Sequence, residues 1–244
     1  MIFYFSIILY IIFGVLPSLV WLFYYLRKDP HPESKLMILK IFFWGAIITL
    51  PVFFVQIGLN NLLEIFTIDK FIASIIYWFL IISLSEELFK YLVVRFRVLK
   101  SSHLDEPIDI MIYMVVSALG FAAVENILYI FTDVGSFSFT EILNRTLILS
   151  FVRFVGATFL HTLCSAVIGY AVAISLCDLK HRRIEAGLGI ITAIALHGLY
   201  NFSIIKLEGN LKIIIPITIL IVLTILTSLG FERLKKVKAL CKLN

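Results

Sequence analysis

Two adjacent glutamates lie in the middle of a strongly apolar segment. Residues 85–90 read Ser-Glu-Glu-Leu-Phe-Lys, inside a segment that is otherwise almost wholly apolar from residue 71 to residue 94. A charge at the centre of a membrane helix costs roughly 2.5 to 3.5 kcal/mol on insertion scales, so each glutamate needs a partner or water. A structural ion pair with Lys90, at helical i,i+3 or i,i+4 spacing, would satisfy only one of them. We therefore expect Glu86 and Glu87 to belong to a functional site.

Three further apolar segments carry polar side chains at comparable depth. They are Glu125 and Asn126, then His161, then His197 and Asn201. A helical rise of about 1.5 Å per residue puts Glu86 roughly 14 Å and His197 roughly 16 Å from the basic ends of their segments, so these two could meet. Glu125 and His161 come out about 20 to 25 Å from those ends, nearer the opposite loops. Two histidines and three glutamates on four segments favour a shared site over separate core residues. An interhelical hydrogen bond is an equally good role for Asn126.

These residue types suit hydrolysis of an amide. A carboxylate beside a histidine, away from bulk water, can activate a water molecule for the attack. The same side chains could instead bind a divalent metal such as zinc, because a catalytic zinc site needs three protein ligands and a water. The candidate ligands are Glu86, Glu87, Glu125, His161 and His197. The residues alone leave open whether a metal is needed.

The sequence lacks the motifs of several other classes of hydrolase. No His-Glu-x-x-His occurs, no Gly-x-Ser-x-Gly lies in an apolar segment, and no aspartate pair lies on two facing segments, so zincin, serine and aspartyl hydrolases are not expected. A proton- or cation-coupled transporter stays open, since buried Glu and His also form proton relays, although paired repeats are missing. A non-catalytic protein that binds a partner's membrane helix stays open too.

The elements that must position these residues are membrane-spanning helices. The 244 residues are 61% hydrophobic and 15% charged, with a mean hydropathy of +1.04. Each crossing needs about 20 apolar residues, and a strand-like alternation of period two is absent. We predict an all-α, multi-pass helical bundle that forms one integral membrane domain over residues 1–244. Its partners are then the lipid bilayer and a substrate, and the net charge of +5 requires no nucleic acid.

We predict about seven spans, with a retained first span rather than a cleaved signal peptide. The expected spans are 2–26, 36–58, 71–95, 108–131, 146–177, 186–206 and 211–231. The fifth is too long for one perpendicular crossing, so its start is expected to tilt or to lie along the interface. Fourteen Lys and Arg residues lie in one set of alternate loops and the C-terminal tail, and four lie in the other set. The positive-inside rule then predicts an N-terminus outside and a cytoplasmic C-terminus.

The motifs themselves resemble a known family. The chain is similar to the PrsW family of intramembrane proteases, which is related to the CAAX-prenyl and bacteriocin-processing membrane proteases. The matching residues are Glu86-Glu87-x-x-Lys90, Phe121-x-x-x-Glu125-Asn126-x-x-Tyr129, His161 with Gly169, His197-x-x-x-Asn201, Asp29-Pro-His-Pro-Glu33 and Pro107-x-Asp109. These cover most of the first 200 residues. The wider group commonly has a histidine where this chain has Glu125.

The resemblance implies a glutamate-dependent or metal-dependent endopeptidase of the cell membrane. Its substrates would be membrane-anchored proteins, and some family members make the first cut in an anti-sigma factor. On this basis Glu86 and Glu87 are expected to activate water, and His161 and His197 to complete the base or the metal site. The supporting residues would be Lys90, which tunes the carboxylates, Glu125, Asn126, and Asn201, which assists the oxyanion.

Overall fold

The structure is a computed structural model that describes residues 2–101, 104–132, 139–177 and 181–237. Within these ranges the regular elements are all helices, so the predicted all-α fold is confirmed. The helices are α1 Ile2–Leu26, α2 Lys35–Ile65, α3 Lys70–Ile75, a π-helical segment Ile76–Ser83, α4 Leu84–Arg97, α5 Pro107–Phe131, α6 Phe139–Val155, α7 Ala157–Cys177, α8 Arg182–Lys206 and α9 Leu211–Leu234. Three basic residues counted for orientation, Lys180, Lys238 and Lys242, lie outside the described residues.

Seven stretches of the described chain are long and apolar enough to cross a membrane. They are Ser6–Leu26, Lys35–Ile65, Lys70–Arg97, Pro107–Phe131, Phe139–Cys177, Arg183–Lys206 and Leu211–Leu234. The predicted number of spans is therefore confirmed, and two boundaries were wrong. The second span continues to Ile65. In its last turns the side-chain amide of Asn60 donates to the carboxylate of Glu64 at 2.8 Å. The fifth span begins at Phe139. The orientation of the termini stays a prediction.

Helix α5 is the centre of the bundle. Its side chains from Pro107 to Ala123 are all buried, because α1, α2 and α7 pack around it. A glycine lies at each of these three interfaces: Gly14 of α1, Gly45 of α2 and Gly169 of α7. A Cβ on Gly169 would lie 2.6 Å from the Cα of Met111, so the helix backbones are in direct contact. Small residues at such crossings are typical of membrane bundles.

The fifth span is broken at Gly156. Helices α6 and α7 meet there without a loop, since Gly156 N–H bonds the carbonyl of Val152 at 2.9 Å and its own carbonyl accepts from Leu160 at 2.8 Å. Trp21 of α1 donates its indole N–H to the carbonyl of Phe154 at 3.0 Å beside this break. These hydrogen bonds hold the end of α6 and the beginning of α7 next to each other. Those two ends supply Arg153 and His161 to the site.

Candidate functional site

The π-helical segment 76–83 sets the register of the two glutamates. The N–H of Leu84 bonds the carbonyl of Phe79, five residues back, and the hydroxyl of Ser83 bonds the carbonyl of Trp78 at 2.8 Å. Such wide turns are rare in proteins overall, but those that occur often lie at functional sites. A Cβ on Gly198 of α8 would lie 2.7 Å from the ring of Phe79. Helix α8 therefore approaches the π-helical segment closely at Gly198, the residue after His197.

Glu87 is wholly enclosed by protein. Its Oε1 accepts from Lys90 Nζ at 2.8 Å and lies 2.9 Å from Nδ1 of His197. Its Oε2 accepts from the hydroxyl of Ser165 at 3.1 Å. With three partners from α4, α7 and α8, this carboxylate links helices. It also fixes the ring of His197 so that Nε2 points away from Glu87.

The side chain of Glu86 points away from that of Glu87 and forms part of the wall of a cavity. Its Oε1 accepts from the amide of Gln56 at 3.2 Å. Its Oε2 is buried and, within the described part of the chain, has no hydrogen-bond partner. The side chain of Glu86 is only 5% exposed. A buried carboxylate oxygen left without a partner is costly, so this atom is prepared for a ligand.

Both histidines approach that unpartnered oxygen. Nδ1 of His161 lies 3.7 Å and Nε2 of His197 lies 3.8 Å from Oε2 of Glu86. The two rings are 5.0 Å apart between centroids and nearly perpendicular. The predicted meeting of Glu86 and His197 is therefore observed, and His161 reaches the same point although it was expected nearer the opposite loops.

Lys90 is the cation beside the pair of glutamates. It is fully buried, and its Nζ lies 2.8 Å from Glu87, 3.6 Å from Glu86 and 2.8 Å from Nδ1 of His161. The ammonium also lies 4.5 Å from the ring centre of Phe121. The i,i+3 ion pair with Glu87 is thus present, and a longer i,i+4 ion pair with Oε2 of Glu86 accompanies it.

Glu125 closes the site from α5. Its Oε2 lies 2.7 Å from Nε2 of His161 and accepts from Arg153 at 2.7 Å. Arg153 also donates to Asn126 at 2.5 Å, and its guanidinium lies 4.0 Å from the ring of Tyr129. Sequence reasoning missed Arg153 because the start of the fifth span was expected at the interface. Its position eight residues before His161 was the available signal.

Asn126 lies behind the site, not in it. Its amide donates to the carbonyl of Gly14 at 3.1 Å and to the hydroxyl of Thr158 at 3.0 Å. The alternative role, an interhelical hydrogen bond, is therefore confirmed. By holding Arg153 as well, Asn126 supports Glu125 indirectly.

A cavity of about 270 Å³ opens beside the cluster. Its lining includes Gln56, Trp78, Glu86, Glu125, Arg153, His161, His197 and Asn201. These residues come from the ends of α2, α5, α6 and α8 and the beginnings of α4 and α7, so the cavity lies in the half of the bundle nearer the 66–69 and 207–210 loops. The indole N–H of Trp78 is buried and finds no acceptor in the described ranges. Asn201 is on the cavity wall one turn from His197, as its spacing predicted.

Three of the predicted ligands form a group that could hold a metal ion. One donor atom each from Glu86, His161 and His197 lie within 4.8 Å of one another. Glu87 and Glu125 instead contact the far nitrogens of the two histidines. Carboxylates in that position orient metal-binding histidines in many proteins. Two histidines and one glutamate are a donor set that suits a catalytic zinc ion.

The charges in the cluster are consistent with a bound cation. Three carboxylates, Glu86, Glu87 and Glu125, face two fixed cations, Lys90 and Arg153. One negative charge is left to be balanced by a metal ion or by a protonated histidine. The residues present therefore fit a metal, on the chemistry of the donors and on the unpartnered oxygen of Glu86.

A buried carboxylate and histidine cluster that faces a cavity inside a seven-span bundle defines an intramembrane hydrolase. Comparison with known proteins makes this specific. A profile described as PrsW family intramembrane metalloprotease matches residues 33–229, and the chain belongs to this family. The predicted resemblance is thereby confirmed, and the protein is an intramembrane protease that acts on protein substrates.

Curated relatives agree with the assignment. The chain is 28% identical to Protease PrsW of Oceanobacillus iheyensis over 208 residues, which cover 85% of this chain and 88% of the relative. It is 29% identical to Protease PrsW of Clostridioides difficile over 227 residues, 91% of this chain and 89% of the relative. Protease PrsW of Bacillus subtilis is 26% identical over 205 residues, 83% and 86% of the two chains. No solved structure matches the chain. The family supports a protease over the two rival classes, a transporter and a helix-binding protein.

Proposed function

We propose that Glu86, His161 and His197 bind the catalytic metal of this protease, and that peptide bonds of membrane-anchored proteins are cleaved in the adjoining cavity. The observation that carries the proposal is the buried Oε2 of Glu86, which has no hydrogen-bond partner in the described chain and has Lys90 and two histidine nitrogens 3.6 to 3.8 Å away. We infer that the metal is zinc, because nitrogen and oxygen donors in this ratio suit it. Such an ion would lower the pKa of a bound water and polarise the substrate carbonyl.

The remaining residues of the cluster hold the ligands in place. Glu87 fixes the orientation of His197 through Nδ1, which leaves Nε2 to face Glu86. Glu125 does the same for His161 through Nε2, and Arg153 anchors Glu125. Lys90 neutralises Glu87 and contacts Nδ1 of His161. For Nδ1 to bind a metal, Lys90 has to withdraw from it towards its carboxylate partners.

Two side chains are in a position to bind the substrate carbonyl. The Asn201 amide and the Trp78 indole N–H both lie on the cavity wall. Hydrogen-bond donors that are oriented before the reaction stabilise the negative charge that develops on the carbonyl oxygen. Asn201 is the oxyanion donor proposed from sequence, and Trp78 is added because its N–H has no acceptor among the described residues.

The substrate is proposed to be a protein anchored in the cell membrane and cut near its outer face. The cavity lies towards the 66–69 and 207–210 loops, which are the loops that the positive-inside rule assigns to the outside. An anti-sigma factor cut at its first site is the substrate class that the family resemblance suggests. We further propose that residues 1–244 act as one domain and need no nucleic-acid partner.

A cleavage assay on purified protein tests the metal site. Wild type, Glu86→Gln and Glu64→Gln are compared on a panel of single-span membrane substrates, before and after chelation, and bound zinc is counted in each. Glu64 is an exposed glutamate on α2, so it serves as the matched control. Glu86→Gln is expected to lose both cleavage and zinc, and chelated wild type to recover cleavage when zinc is restored.

Two results would contradict the proposal. Cleavage that survives complete removal of metal, yet is lost in Glu86→Gln, would mean that the glutamate activates water without a metal. Full activity of Glu86→Gln would remove this residue from the mechanism.

A further inference from the structure

A second group of carboxylates lies at the opposite end of α5 from the candidate active site. Asp29 and Glu33 come from the loop between α1 and α2, and Asp109 from the first turn of α5. One carboxylate oxygen from each lies within 4.8 Å of the other two. Asp29 is 7% exposed and Asp109 is 1% exposed. Three acidic groups are thus held together, two of them buried and Glu33 half-buried.

Two oxygens in this group have no hydrogen-bond partner. They are Oδ2 of Asp29 and Oε1 of Glu33, both buried and unpartnered within the described ranges. The other oxygens are engaged: Oδ1 of Asp29 accepts from the N–H of His31 at 2.9 Å, and Oε2 of Glu33 accepts from the hydroxyl of Tyr113 at 2.7 Å. A buried carboxylate oxygen without a partner is expensive. Two such atoms beside a third carboxylate are the arrangement that a cation would stabilise.

Protein groups supply little positive charge here. Oδ2 of Asp109 accepts from the N–H groups of Asp105 and Glu106 at 3.1 and 2.7 Å, so the N-terminus of α5 compensates part of one charge. The nearest basic side chain in the described contacts, His31, is paired with Glu106 at 2.9 Å. Burial raises the pKa of Asp29 and of Glu33, and neighbouring carboxylates add to both shifts. The ionised group is therefore unfavourable unless a cation joins it.

We propose that Asp29, Glu33 and Asp109 bind a hard divalent cation, Ca²⁺ or Mg²⁺, which fastens the α1–α2 loop to the beginning of α5. Oxygen-only donors select these ions, whereas the Glu and His cluster at the other end suits zinc. The ion replaces mutual repulsion with shared coordination. It stabilises the end of α5 that continues, through the centre of the bundle, to Glu125.

The test uses the full chain in detergent, stripped of metal and then given Ca²⁺ or Mg²⁺ separately. Bound ions are counted by equilibrium dialysis, and stability is followed by thermal unfolding. One ion per chain is expected, with a rise in Tm of roughly 5 °C once the ion is at about one hundred times its Kd. Comparing the two ions identifies the preferred one.

Variants locate the site. Asp29→Asn and Glu33→Gln are each expected to lose the bound ion and the rise in Tm, so the result stands if one of them folds poorly. Asp105→Asn, an exposed neighbour outside the group, and Glu86→Gln are expected to keep both. The proposal is overturned if wild type binds neither ion up to roughly 10 mM, which would leave a cluster of protonated carboxyl groups. It is also overturned if both Asp29→Asn and Glu33→Gln bind the ion as wild type does.

Discussion

Nδ1 of His197 lies 2.9 Å from Oε1 of Glu87, and this contact separates the roles of two consecutive glutamates. Because a carboxylate paired with Lys90 can only accept, the proton on His197 is on Nδ1, and Nε2 is left to face Glu86. We therefore expect Glu87 to act only through His197, the histidine that it orients. Glu86 faces the cavity itself.

The first prediction concerns this division. Glu87→Gln keeps the size of the side chain but loses the ion pair, so we expect metal affinity and kcat/KM to fall about 10- to 100-fold. Glu86→Gln should instead show no measurable cleavage. The measurement is a zinc titration together with initial rates for both variants. Equal losses in the two variants would mean that Glu87 contacts the reacting atoms directly.

The second prediction concerns Lys90. Replacing this buried ammonium by methionine leaves Glu86 and Glu87 without their cation, and we expect a loss of roughly 3 to 5 kcal/mol in the free energy of unfolding. The double variant Lys90→Met, Glu87→Gln should be less destabilised than the sum of the two single variants by roughly 1 to 3 kcal/mol. The reason is that the second substitution removes a charge that the first leaves unpaired. A double-mutant cycle of unfolding free energies measures this. Strict additivity would argue against the coupling, and Lys40→Met, at an exposed position, is the control.

The third prediction concerns Arg153, which holds Glu125 and Asn126. Arg153→Gln should lower kcat more than it changes KM, since Glu125, which orients His161, loses its anchor while the cavity keeps its shape. The rate should recover in part in Arg153→Lys, which restores the charge but not the paired hydrogen bonds. Arg183→Gln, at an exposed position on α8, should behave as wild type. A change in KM alone would assign Arg153 to substrate binding instead.

The fourth prediction concerns the crossing of α2 and α5. A Cβ on Gly120 would clash with the carbonyl oxygen of Phe42 and lie 3.0 Å from the backbone nitrogen of Ala46. Gly120→Ala should therefore destabilise the protein by roughly 1 to 3 kcal/mol. Gly58→Ala on α2, where nothing lies within 4 Å, should be neutral or slightly stabilising because alanine favours helix. The measurement is the thermal unfolding of both variants. Equal changes in stability for Gly120→Ala and Gly58→Ala would contradict the close approach of α2 and α5.

The fifth prediction concerns orientation. A cysteine at Glu208 should react with a membrane-impermeant maleimide on intact cells, and a cysteine at His31 should react only after permeabilisation. The unmodified chain measures the background from the native cysteines. The reverse pattern would place the cavity on the cytoplasmic side and would exclude cleavage near the outer face.

The fold was largely predictable from the sequence because hydrophobic length is a strong signal. The seven apolar stretches and the helical class both follow from composition and spacing. The central position of α5 did not follow, since its apolar content resembles that of lipid-facing spans. Burial within a bundle depends on which helices pack around a span, and hydropathy does not report this.

The sequence predicted most of the residues that form the site, but not how each of them is placed within it. Glu86 and Glu87 point about 100° apart on a helix, and sequence cannot say which direction is the cavity. The π-helical segment adds a shift in register that no spacing rule anticipated. Arg153 comes from the last turn of α6, just before the break at Gly156, where the hydroxyl of Tyr200 lies close to the backbone.

The enclosure of α5 also bears on how this sequence can change over generations. A helix with protein on every side has no face where one apolar residue can replace another freely, because each replacement meets a neighbouring backbone or side chain. The outer faces of α2 and α9 instead expose apolar side chains that pack against no other helix, such as Phe54 and Leu229, and these positions should accept other apolar residues. Accepted mutations in this lineage should therefore accumulate on the periphery, while α5, which also carries Glu125, should be the slowest-changing stretch of the chain.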